Sequence, residues 1–320
     1  MTIRAVGQRI ERFFFLPESD VWISVLRVGL AVELISFCLA LRKDWAHLLS
    51  AEGGGFIHRD LMEAALNADS SFIPRVDWLI QIGIKAGISE PAILWFIWGW
   101  LVVASLSLLA GLFSRAAAIT AWFLHLSVVK SIGYFSYGVD NMTTIGLFYL
   151  MIAPLPDHLS LDTFLRARSG KGHLVSFFRR ILQIHLCLIY FFGGLAKLSG
   201  IGWWNGTNVW RALTIPPFRF VDPELVLHYK GFLPVAGLAI CLLEFCYPLF
   251  IWNRRTRIPW LICVCGMHLM IAFTMGMFLF AFVMIVLNLA AFMPLPSTSV
   301  RTSQEAIVAG FPTAEASGAL

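Results

Sequence analysis

Residues 190–213 read YFFGGLAKLSGIGWWNGTNVWRAL. The stretch opens as the end of an apolar helix and carries Lys197 where the pattern calls for hydrocarbon. It then breaks into a segment rich in Trp and Gly. An ionisable side chain at the centre of a membrane span costs about 2.5–3.5 kcal/mol on insertion scales, so it needs a partner, a water-filled cavity or a task.

The rest of the chain says that the surroundings are a membrane. Of its 320 residues, 58% are hydrophobic and 13% charged, and the mean hydropathy is +0.77. A soluble domain carries about 25% charged residues. One span attached to a soluble enzyme would not be this apolar. A helix needs about 20 apolar residues to cross a bilayer. The sequence therefore predicts an all-α polytopic membrane protein with about eight transmembrane helices, plus short interfacial helices. The expected spans are 21–41, 91–112, 116–135, 138–156, 181–199, 233–252, 258–275 and 277–294.

Three regions follow from this pattern. Residues 1–20 form a basic N-terminal interfacial segment, with Arg4, Arg9 and Arg12 ahead of Phe13, Phe14, Phe15 and Leu16; that order suits a helix lying on a membrane surface. Residues 21–296 form the transmembrane domain. Residues 297–320 are polar and rich in small residues, and are expected to be a disordered cytoplasmic tail. Within the domain, 42–73 with Gly53, Gly54 and Gly55 reads as an exterior loop, 74–88 as an interfacial helix, and 200–231 as a loop. No cleavable signal peptide is expected.

The net charge of +5 comes from basic residues in short loops between spans. Such a pattern reports orientation and gives no nucleic-acid surface. With both termini cytoplasmic, Arg179–Arg180 and Arg254–Arg255–Arg257 fall inside, while Arg42 and Lys43 break the rule and are expected to snorkel outside. The six cysteines all lie in apolar stretches without metal-ligand spacing, and read as buried inert thiols. No metal site is expected. Walker, dinucleotide-binding, His-Glu-x-x-His and nucleophile-elbow motifs are missing.

Several polar residues share the spans with Lys197. Asp140 starts its span at the depth of Lys197 and is the expected partner; as a bland alternative it caps its helix. Lys197 itself either faces inward or snorkels to the interface. Glu244 and His268 lie halfway along their spans. Arg27 and Glu33 sit about 120° apart on one helix, so each needs a partner elsewhere, and Arg27 with Glu244 or Glu33 reads as a structural pair. Trp203, Trp204 and Trp210 read most simply as an interfacial aromatic belt.

Taken in order, Tyr190 to Leu198 followed by Trp203-Trp204-Asn205-Gly206 resembles the HTTM family, bacterial membrane proteins similar to the membrane domain of vitamin K-dependent γ-glutamyl carboxylase. The resemblance runs from about residue 16 to 295. It takes in Arg27-Val28-Gly29-Leu30, Asp140 through Ser160-Leu161-Asp162, Glu244 and Met267-His268. It implies a bacterial inner-membrane protein that uses a lipophilic quinol-type cofactor, reduced vitamin K or menaquinol, to modify or mature a secreted peptide. The lysine matching Lys197 is implicated there in deprotonating the hydroquinone. Lys197 and Asp140 would then be catalytic, and His268, Glu244, Asn141, Trp203 and Trp204 would bind the cofactor. Two departures count against full transfer. Asn141 stands where the carboxylase has a histidine, and the large lumenal domain is expected to be absent because the chain stops soon after its last span. The rival expectation is a non-catalytic membrane partner of a secreted peptide, serving export, immunity or scaffolding.

Overall fold

The computed structural model describes residues 3–50, 59–133, 136–165 and 172–294. The expected tail, and Gly53–Gly55, lie outside the described residues. What is described is helical, with no strand. The helices are α1 Ile3–Phe15, α2 Val21–Leu41, α3 Trp45–Leu49, α4 Arg59–Asp69, α5 Val76–Lys85, α6 Glu90–Ala110, α7 Ser114–Ser131, α8 Gly138–Ile152, α9 Leu161–Leu165, α10 Gly172–Leu198, α11 Ile201–Trp204, α12 Thr207–Thr214, α13 Pro223–His228, α14 Leu233–Phe245, α15 Tyr247–Trp252, α16 Arg257–Met275 and α17 Phe278–Phe292.

Among the described residues, four helices are long and apolar enough to cross a membrane: Val21–Leu41, Glu90–Ala110, His173–Leu198 and Arg257–Met275. Phe278–Phe292 is equally apolar but shorter. The chain is thus a membrane-embedded helical protein. The remaining expected spans take a less simple form. α7 is diluted by Ser, Thr, His and Lys, and α8 has 15 residues. The stretch expected as one span over 233–252 comes as two helices, α14 and α15. Pro248 explains that break, because its ring has no N–H to donate and clashes with the carbonyl four residues back. That residue is Glu244. The region 42–73 is not simply a loop, since it contains α3 and α4, and 200–231 carries α11, α12 and α13.

α2 is the most enclosed of the four long helices and packs on α6, α8 and α17. α8 runs antiparallel to α2. Arg27 near the start of α2 pairs with Asp157 just beyond the end of α8. Leu30, one turn on, lies against Gly146, where an added Cβ would sit 2.9 Å from its side chain. α10 packs on α14, and α16 on α17.

Basic side chains close one end of the bundle by capping helix C-termini, whose last carbonyls lack helical partners. Arg27 donates to the carbonyls of Leu108 and Leu109 at the end of α6. Arg179 does the same at the end of α17, with Ala291 O at 3.0 Å and Met293 O at 2.8 Å. Arg179 and Arg180 both pair with Glu18, and Arg180 also donates to Phe13 O, which ties α1 to α10. Asp162 accepts from the backbone N–H groups of Phe113 and Ser114 and so caps α7 from a distance.

Candidate functional site

Near the C-terminal end of α10, Lys197 Nζ donates to Glu244 Oε2 of α14. The pair is largely enclosed, with side chains 27% and 11% exposed. Gly194 makes the approach possible. An added Cβ there would fall 2.3 Å from Phe245 N, so only a glycine lets the two backbones close to this distance. The Pro248 break turns the chain just beyond Glu244, and Tyr247 opens the next helix, α15. Trp203 of α11 covers the pair from another side, with Lys197 Nζ 5.7 Å from its ring centroid, within cation–π range.

A second network is buried next to this pair. Asn288 of α17 donates from Nδ2 to Met284 O (2.8 Å) and to the Tyr190 hydroxyl (2.7 Å), while its Oδ1 accepts from the Tyr247 hydroxyl at 2.8 Å. The Tyr190 and Tyr247 rings stack 4.2 Å apart. The Tyr190 hydroxyl lies 2.7 Å from His268 Nε2 of α16. These contacts assign the histidine tautomer. The Tyr190 oxygen accepts from Asn288, and among the described residues its own hydrogen has His268 Nε2 as acceptor, so that hydrogen goes to Nε2 and the ring proton of neutral His268 sits on Nδ1. That Nδ1 is buried and has no hydrogen-bond partner. Lys197 is near enough to His268, and Glu244 near enough to Tyr190, for their charges to be felt.

The residues singled out from the sequence therefore separate. Lys197, Glu244, His268 and Trp203 come together. Asp140, expected beside Lys197, does not pair with it: its Oδ2 accepts from Tyr137 N–H at 2.9 Å, capping α8, and its charged neighbour is Glu33. The physical reason is local, since an aspartate at the third position of a helix reaches the free N–H of its own cap residue. Asn141 is exposed on α8. Trp204 is half exposed and donates from Nε1 to Leu198 O, closing the end of α10 instead of joining the cluster. Arg27 pairs with Asp157, at 2.7 Å, and not with Glu33 or Glu244.

Sequence reasoning gave no role to Asn288, Tyr247 or Asp157. Asn288 is the one polar side chain in α17, which was a signal of its own. Tyr247 and Asp157 look like ordinary interfacial and loop residues, and only the packing gives them partners. A cleft lined by Leu49, Arg59, Glu63 and Ser131 lies elsewhere, and Arg59 there is already paired with Glu90.

Together, the cluster offers an aromatic ring over a buried polar end, a hydrogen-bond donor without an acceptor, and an amine–carboxylate pair. A hydrogen-bond acceptor brought to His268 Nδ1 would satisfy that donor, and the Lys197–Glu244 pair is a place where a proton can be exchanged. Set against family models, curated proteins and solved structures, the chain matches none.

Proposed function

We propose that this protein is a membrane enzyme of HTTM type that binds a lipophilic quinol, such as reduced vitamin K or menaquinol, beside Lys197 and modifies or matures a secreted peptide. The observation that carries this reading is the orphaned donor His268 Nδ1, buried on a ring that bonds Tyr190, two turns before Lys197 on the same helix. An unsatisfied buried donor costs about 1–3 kcal/mol. An oxygen of a ring ligand would remove that cost, and Trp203 would lie along the ring face.

A quinol supplies electrons and an ionisable hydroxyl when bound. The protein's own part is binding and proton handling. As an ammonium, Lys197 cannot take a proton. To act as a base it would first pass its proton to Glu244, the carboxylate it is bonded to, and the amine so freed could accept one from a hydroxyl. Tyr190, held by Asn288 and Tyr247, keeps His268 Nε2 occupied so that Nδ1–H remains the donor.

In the same reading the chain crosses a bacterial inner membrane about eight times with both termini in the cytoplasm. The capped, arginine-rich end would face inward, and Lys197, at the far end of α10, would open outward.

The test is binding of a short-tailed menaquinol analogue to the full chain in nanodiscs, followed by quenching of tryptophan fluorescence. Saturable quenching is expected in the wild type, about tenfold weaker in His268→Phe for one lost hydrogen bond. Lys197→Ala should keep expression and fold while abolishing peptide maturation in cells. Absence of saturable binding, or full maturation in Lys197→Ala, overturns the reading. The latter result would favour a non-catalytic partner of the peptide, with Lys197–Glu244 as a structural pin.

A further inference from the structure

A separate acidic site lies between α2 and α8, outside the Lys197 cluster. Phe280 stands between the two, touching the His268 ring at a centroid distance of 5.7 Å and lying against Gly138. The antiparallel register places the acidic site. Arg27 meets Asp157, Leu30 meets Gly146, and one further turn along brings Glu33 opposite the turn that carries Asp140 and Thr143. Glu33 and Asp140 are near enough to feel each other's charge.

Three facts make this unlike an ordinary structural contact. Glu33 is 1% exposed, and its Oε2 has no hydrogen-bond partner. Thr143 is 1% exposed, and its Oγ1 is also without a partner. A helical threonine in an apolar span usually bonds its own backbone four residues back, so this hydroxyl is left unused. Asp140 is 5% exposed and spends one oxygen on Tyr137 N–H. Two carboxylates and a hydroxyl thus lie on facing turns of α2 and α8, two of their oxygens buried without a partner.

Among the described residues, no cationic side chain pairs with them. Over its length α6 contains one charged residue, Glu90, at its far start and paired with Arg59. α17 contains none. From α7, His125 packs its ring on Phe37 and bonds Thr144, and Lys130 makes no ion pair with either carboxylate among the described residues. Tyr137, about one third exposed at the start of α8, is a further titratable group beside the pair among the described residues. Two like charges this close in a low-dielectric interior cannot both stay ionised and unneutralised.

We propose that Glu33, Asp140 and Thr143 bind one monovalent cation, a proton or an alkali-metal ion, at the α2–α8 interface, with entry past Tyr137. The ligands are all hard oxygens, which suits either species. They are too few for a divalent cage, and no group of three or more His, Cys, Asp or Glu that could hold a metal assembles among the described residues. Binding neutralises the repulsion across α2 and α8, so occupancy tightens the central helix pair.

The experiment uses the full chain in nanodiscs. Infrared spectra at neutral pH read protonated carboxyl groups, and unfolding temperature is measured in sodium against choline at equal ionic strength. If the cation is a proton, the wild type shows a protonated carboxyl that the E33Q/D140N double variant loses. If it is an alkali ion, sodium raises the wild-type unfolding temperature and the double variant does not respond. Should the double variant not fold, Thr143→Val serves: it removes one ligand and is expected to shift the carboxyl band or to weaken sodium binding about tenfold. The proposal is overturned by a wild type with no protonated carboxyl and no sodium response. It is also overturned if the double variant or Thr143→Val folds and behaves as the wild type does.

Discussion

At the scale of single residues, the polar side chains inside this bundle do different work according to who answers them. Arg27 is fully answered, by Asp157, Leu108 O and Leu109 O. Burial alone would raise the Asp157 carboxyl, but hydrogen bonds from Arg27 and Ser24 and the charge of Arg27 outweigh it and hold the group below its usual value. A depressed carboxylate contributes stability above its unfolded value of about 4, and the contribution is lost as pH falls through the lower folded value. Unfolding temperature should therefore drop on acidification below about pH 4. Asp157→Leu should destabilise the protein at neutral pH by about 3–5 kcal/mol, since it leaves a buried guanidinium unpaired. A melting curve across pH on both proteins checks this. Tyr190→Phe makes the opposite kind of change, removing the link between Asn288 and His268. With Nε2 no longer claimed, nitrogen NMR of histidine-labelled protein should show His268 lose its single tautomer. An unchanged spectrum would contradict the assigned direction of the chain of hydrogen bonds.

Among helices, two close approaches make the sites. Gly194 lets α14 lie against α10, and Gly146 lets α2 lie against α8. Gly194→Leu drives a side chain into the Phe245 backbone. Overpacking of this kind costs about 1–3 kcal/mol. Here it should also part Lys197 from Glu244, so that the quinol binding we propose falls with stability. Gly99, with nothing within 4 Å of a built Cβ, is the matched control whose alanine variant leaves both unchanged. The break at Pro248 belongs to this scale as well. An unbroken helix would carry Tyr247 along the axis of α14, and Pro248→Ala is expected to weaken the Tyr247–Asn288 contact more than it lowers the unfolding temperature.

For the molecule as a whole, the outer face decides its setting. On α16 the side chains of Ile262, Leu269, Met270 and Phe273 point outward, while Leu261, Val264, His268 and Ala272 face in. A helix that is apolar on its outer face as well as its inner one needs lipid there. Cys263, exposed on the same helix, reports on this directly. A charged, membrane-impermeant maleimide should fail to label Cys263 in intact membranes and label it once the protein is dissolved in denaturing detergent. Labelling in intact membranes would remove α16 from the bilayer.

How much of this was legible in the chain follows from the range of the forces involved. Hydropathy is summed locally, so a membrane-embedded helical bundle, the basic helix over Ile3–Phe15 and the helix at Val76–Lys85 could all be read from composition and spacing. The singularity of Lys197 was visible for the same reason, because a charge in an apolar run stands out without knowledge of its neighbours. Its partner was not visible. Asp140 and Glu244 are both acids in spans, and depth along the chain favoured Asp140. The crossing of α10 and α14 at Gly194, with the bend at Pro248, brought Glu244 to the amine and left Asp140 to its own helix end and to Glu33. Sequence by itself determined which residues are costly to bury. Tertiary structure decided which of them share that cost, since pairing falls off over a few ångströms and only the packed helices say who lies within that distance.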